Sequence, residues 1–108
     1  MAAIITAVFA PVAESRPEFE RLLQELAAFI HSERPEGMDS MAVLRSNAHV
    51  LVQAKWRSAE DQKAFRASPG GAKIFRALSE CSVEPPVTYT TSEDPALSYS
   101  RAAAPPGG

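Results

Sequence analysis

A single α+β domain, the ferredoxin-like unit with element order β-α-β-β-α-β, is predicted by three observations. The stretch NAHVLVQAKWRS, from Asn47 to Ser58, alternates with strand periodicity and carries the chain's single tryptophan. An earlier run, AIITAVF at residues 3 to 9, is apolar on both alternating faces. Between them Phe19, Leu22, Leu23, Leu26 and Ile30 fall at helical spacing and make one apolar stripe.

The elements follow in order. Residues 3 to 9 form the first strand, which Pro11 ends. Ser15 and Glu18 have capping-box spacing with Pro17 in the first turn, so a helix opens there. Pro35 stops it, and Gly37 completes the turn. Met38 to Ser46 reads as a second strand with Met41, Val43 and Leu44 as its apolar part. Only Asn47 and Ala48 separate it from the third strand, so the two form an antiparallel hairpin. On that third strand Val50, Val52, Ala54 and Trp56 share the core face, and Leu51, Gln53 and Lys55 share the other. Ser58, with Asp61 three positions on, caps a short helix to about Ala67, anchored by Phe65. Ser68-Pro69-Gly70-Gly71 reads as a break before a second short helix that places Ile74, Phe75, Leu78 and Cys81 on one side. The fourth strand is VEPPVTYTT, with regular pairing confined to Val87 onward by Pro85 and Pro86. The domain is expected to span residues 1 to 91. Residues 92 to 108, rich in Ser, Ala, Pro and Gly, are expected to be a tail.

Composition bounds the function. A chain of 108 residues, 45% apolar, holds one small core. A net charge of −2 without a basic cluster argues against a nucleic-acid partner. No segment approaches the roughly 20 apolar residues of a membrane span. Cys81 alone forms no internal disulfide, which fits a reducing cytoplasm, and a cytoplasmic location is expected. His31 and His49, without suitably spaced carboxylates, make no metal motif. Helices on one sheet face leave the other open, and Leu51 lies on it. A second copy of the chain is the expected cover, giving a homodimer.

The order of elements, Pro35-Glu36-Gly37 after the first helix, the Val43-Leu44-Arg45-Ser46 strand end, and Trp56-Arg57-Ser58 closing the third strand resemble the antibiotic biosynthesis monooxygenase family, over residues 3 to 91. That resemblance implies a dimeric α+β barrel and a pocket between sheet and helices. It implies oxidation of polycyclic aromatic substrates, polyketide-type anthrones or quinols, with dioxygen and no metal or other cofactor. Trp56 matches the tryptophan that lines the family's pocket. The anthrone oxidisers place an asparagine four positions before it, where this chain has Val52, and a tyrosine six positions after it, where this chain has Gln62. Arg76 stands one position from a family arginine on the last helix. Arg66 occupies the place of the histidine that the haem-degrading branch requires, which disfavours haem.

Cofactor-free oxygenation needs an electron-rich phenol or anthrone to lose a proton, after which the anion reduces dioxygen. The protein supplies a dry apolar pocket and a polar group for the anion. The expected walls are Val52, Ala54, Trp56, Phe65 and Phe75, with Leu44 from the neighbouring strand. Arg76 is the expected anion stabiliser, and Gln62 is placed to hydrogen-bond a substrate carbonyl. Against this stands a plainer reading, in which the aromatics are core and Arg76 belongs to a solvated helix face. Val52 and Gln62, departing from the family pattern, keep two alternatives open. One is a cyclase or isomerase on the same fold; the other is an accessory protein that binds aromatic ligands without catalysis.

Overall fold

The protein is described by a computed structural model at residues 2–94, 96–99 and 101. Its first strand, β1 (Ala3–Phe9), buries every second residue: Ala3, Ile5, Ala7 and Phe9. A 3₁₀ turn, Ala13–Ser15, leads directly into α1 (Arg16–Glu33). The capping box expected from Ser15 and Glu18 does not form. Ser15 makes no side-chain cap bond, and the Glu18 carboxylate is engaged by the Arg21 side chain one turn on. Phe19, Leu22, Leu23 and Leu26 form the buried stripe. The helix ends at Arg34, whose left-handed φ of 47° turns the chain and whose N–H donates to the Ile30 carbonyl.

The hairpin of β2 (Met38–Arg45) and β3 (Val50–Trp56) pairs antiparallel, as its short link predicts. Helix α2 (Ala59–Ala67) starts from Ser58, whose Oγ accepts from the Asp61 N–H at 3.2 Å. The stretch read as a break is the first turn of α3 (Pro69–Glu80). Pro69 suits the first helical position, and Ser68 Oγ accepts from the Gly71 N–H. The glycines stand here because the neighbours come too close for a side chain. A Cβ at Gly70 would lie 2.6 Å from Phe29 Cζ, and one at Gly71 would meet the Phe65 carbonyl. Cys81 follows α3, buried among the core residues, and burial pushes its thiol up from its ordinary pKa.

Strand β4 (Val87–Thr91) joins the sheet beyond the two prolines, at an edge beside β1. The strand order is β2-β3-β1-β4, all neighbours antiparallel, which is the ferredoxin-like arrangement. The buried residues of β1 and β3 face the helices. Residues directly opposite across an antiparallel pair share a face. Ile4, Val8, Leu51 and Leu44, with Val87 and Tyr89 from β4, therefore lie on the side away from the helices. Leu44 is 44%, Val87 48% and Tyr89 55% exposed there. Of the expected tail, residues 95, 100 and 102–108 lie outside the described part. Within it, Leu97 and Tyr99 are exposed and Glu93 pairs with Lys55 at 3.6 Å. No helix of the described residues is long and apolar enough to cross a membrane.

Candidate functional site

Four rows of side chains cross the covered face of the sheet. The first holds Met38, Trp56 and Ala3, the second Met41, Ala54 and Ile5, the third Val43, Val52 and Ala7, and the fourth Val50 and Phe9. Large aromatics therefore stand at the two ends, and smaller residues lie between. Each end gathers aromatic partners from the helices. Phe9 meets Phe19 and Phe75 at ring-centroid distances of 5.7 and 5.8 Å. Trp56 meets Phe65 at 5.5 Å, and Phe65 meets Phe29 at 6.1 Å. Such separations are those of favourable tilted or edge-to-face pairs.

Between these two aromatic groups lies a cavity of about 80 Å³. Its floor is Val52, Ala54, Trp56, Ile5 and Ala7, and its roof is Phe65, Ile74, Phe75 and Leu78 from α2 and α3. Three polar side chains reach it: Gln62, Arg66 and Thr88. Gln62 and Arg66 stand four residues apart on α2, flanking Phe65, so one helix face delivers all three. Thr88 comes from β4, where its pairing with Ala7 turns it toward the helices.

Six of the residues singled out in the sequence line this one space: Val52, Ala54, Trp56, Gln62, Phe65 and Phe75. Two do not. Leu44 pairs with Leu51 and so points to the open face. Strand alternation turns Met41 and Val43 to the helices instead, and a bulge between Met38 and Ser40 brings Met38 to the same side, so Met38 and Met41, opposite Trp56 and Ala54, supply the walls expected of Leu44. Arg76 lies outside as well. Ile74, Phe75 and Leu78 define the inward side of α3, and a residue two positions from both Ile74 and Leu78 falls on the other side. Arg66 is the arginine that reaches the cavity, its guanidinium carbon 3.8 Å from the Phe75 ring centroid.

Trp56 is 2% exposed, yet its indole N–H donates to no protein group among the described residues. No buried side-chain nitrogen or oxygen is left unpartnered there, so this N–H retains contact with open space. The core carries no buried polar or charged side chain among the described residues. His31 and His49 are exposed and absent from the cavity wall. No three His, Cys, Asp or Glu side chains of the described residues come together as metal ligands would.

The end of the site near Trp56 is braced by polar contacts. Arg57 donates from Nε to Asp61 Oδ2 at 2.9 Å, and its backbone N–H donates to the Gly37 carbonyl at 2.7 Å. The Arg57 guanidinium, and next the Ser58 hydroxyl, hold the Asp61 carboxyl below its ordinary pKa. Gly37 has φ +84°, and a Cβ there would lie 2.5 Å from Asp61 Oδ2.

An antiparallel α+β sheet with helices on one face, and an apolar cavity between them, defines the class of fold. Solved structures share it. One is a conserved protein from Methanosarcina mazei, at 18% identity and TM-score 0.77, covering 87% of this chain and 94% of that one. Another is a Caulobacter crescentus protein provisionally named an antibiotic biosynthesis monooxygenase, at 17% identity and TM-score 0.76, covering 86% and 90%. A third is SnoaB, a cofactor-independent oxygenase from Streptomyces nogalater, at 20% identity and TM-score 0.69, covering 89% and 95%. The sequence matches no protein-family model and no curated protein.

Proposed function

We propose that this chain is a cofactor-independent monooxygenase that oxidises a polyketide-type anthrone or quinol with dioxygen, in antibiotic biosynthesis, and works as a homodimer. The observation that carries the reading is the apolar cavity floored by small residues and bounded by Trp56 and Phe65 at one end and Phe75 at the other. Flat apolar ligands suit such walls. The fold shared with SnoaB supports the same reading.

The chemistry follows from what lines the cavity. Gln62, Arg66 and Thr88 bring hydrogen-bonding groups, and none is a base at neutral pH. The substrate must therefore be acidic enough to lose its proton to water, as anthrones and quinols are. The anthrone carbanion transfers an electron to dioxygen, and the two radicals combine at the carbon. The resulting hydroperoxide loses water, so one oxygen atom becomes the quinone carbonyl and the other leaves as water. Dry walls keep the anion poorly solvated and favour that electron transfer. Gln62 donates its amide N–H to the substrate oxygen on which charge collects. Trp56 holds the ring plane against the sheet.

Oxygen uptake with dithranol, corrected for its spontaneous oxidation, tests the reaction. Uptake matched by quinone formation is expected. Turnover under strict anaerobiosis would place the chain among cyclases or isomerases, and no turnover with intact binding would make it a binding protein. The homodimer reading rests on the open sheet face with Ile4, Val8, Leu44, Leu51 and Tyr89. Sedimentation should give twice the chain mass of 11.6 kDa; a monomer at micromolar concentration would remove it.

A further inference from the structure

A cavity of about 80 Å³ is too small for the ligand class just named. One benzene ring occupies an engineered apolar cavity of roughly 150 Å³, so a multi-ring ligand requires part of the wall to move. Beside the cavity an open surface groove runs along α2, α3 and the Pro85-Pro86 approach to β4. Three residues line both spaces: Arg66, Phe75 and Thr88. They are the partition between them.

Arg66 is the unusual member of that partition. Arg16, Arg21, Arg45 and Arg57 each pair with carboxylates. Among the described residues Arg34, Arg66 and Arg76 have no carboxylate within ion-pairing distance, and of these three Arg66 alone lines the cavity, although Glu80 and Glu84 line its groove. Its guanidinium lies instead over the Phe75 ring. A cation–π contact at an exposed position is weak, and a planar bidentate carboxylate is a stronger partner for a guanidinium.

We propose that Arg66 and Phe75 form the door of this cavity, and that Arg66 is the specificity-determining residue, selecting aromatic ligands that carry a carboxylate. On entry the ring passes Phe75 into the space between the aromatic groups. The guanidinium leaves the Phe75 face for the ligand carboxylate, which stays at the groove. Arg76, which lines the groove but not the cavity, is the control.

The inference deepens the reading of the cavity as a substrate site, and its test needs no turnover. Calorimetric titrations with 2-naphthoate and with the neutral 2-naphthamide give the charge preference directly. The unaltered protein is expected to favour naphthoate by about tenfold or more. Arg66→Gln should erase that preference, Arg66→Lys should keep part of it, and Arg76→Gln should keep nearly all. Equal affinities in the unaltered protein, no binding of either probe at millimolar concentration, or a preference that survives Arg66→Gln would overturn the proposal. So would its loss in Arg76→Gln. Absent oxygen uptake both with dithranol and with an anthrone carboxylic acid, beside an intact naphthoate preference, would retire the oxygenase reading and leave Arg66 standing. The reverse pattern would retire Arg66 alone.

Discussion

The two aromatic ends of the covered sheet face are built from similar residues and behave differently. At the Phe9 end, Phe9, Phe19, Val50 and Leu78 are each no more than 2% exposed, and one buried cluster runs from sheet to α1 and α3. At the Trp56 end the buried set shrinks to Ala3, Ile5, Ala54 and Trp56, with Met38, Met41, Ala59 and Phe65 only partly covered. Here α2 contributes no buried residue, and polar contacts at Ser58, Arg57 and Asp61 fix its start. One end is held by packing. The other is held by a cap and an ion pair around a space, which is the arrangement a site needs when its roof must move.

This contrast is open to attack. Phe19→Ala should cost about 3–5 kcal/mol of stability in urea unfolding, because the dense end has no slack to close over the gap. A cost near 1 kcal/mol would mean that the two ends pack alike. Gly37→Ala, at the Trp56 end, should cost about 1–3 kcal/mol through its positive φ and the clash with Asp61. Its melting curve should fall while α1 keeps its far-ultraviolet circular dichroism up to the transition.

Trp56→Phe should cost less, under about 1.5 kcal/mol, because a smaller ring at a wall that already borders a cavity is readily accommodated. Turnover per folded molecule should drop by about tenfold or more. Unchanged kinetics with a lowered melting temperature would make Trp56 a packing residue and the contrast merely one of density. The smallest effect concerns pH. The Asp61 carboxyl is held below its ordinary pKa by Arg57 and Ser58, so its contribution is complete above the ordinary carboxylate range and is lost as the pH falls through the lowered value. Melting temperature should decline more steeply below about pH 4 in the unaltered protein than in Asp61→Asn. Parallel curves would show that the pair does not brace α2.

Most of the architecture is readable in the sequence. Period-two alternation in β1 and β3 announced which residues face the helices, and Pro85-Pro86 marked where β4 begins. The misreadings concern what local pattern does not carry: close approach, the face a strand residue takes and the roll of a helix. Gly70 and Gly71 look like a helix breaker, yet Phe29 and the Phe65 carbonyl demand residues without side chains in that turn. Leu44 looks like a wall because it is apolar, but its place opposite Leu51 turns it to the open face and leaves the wall to Met38 and Met41. The site was half legible. Strand alternation finds Val52, Ala54 and Trp56, and helical spacing finds Phe65 and Phe75. The choice of Arg66 over Arg76 depends on which way α2 and α3 roll against the sheet, and a single sequence carries no such angle.

The position of Trp56 has a practical consequence. The chain has one tryptophan, it lies against the cavity, and Tyr89 and Tyr99 are its only tyrosines. Excitation at the red edge of indole absorption therefore addresses a single chromophore. A ligand entering the space should alter its emission without any attached label, and the same signal, followed in time after rapid mixing, separates how fast the door opens from how tightly the guest is held.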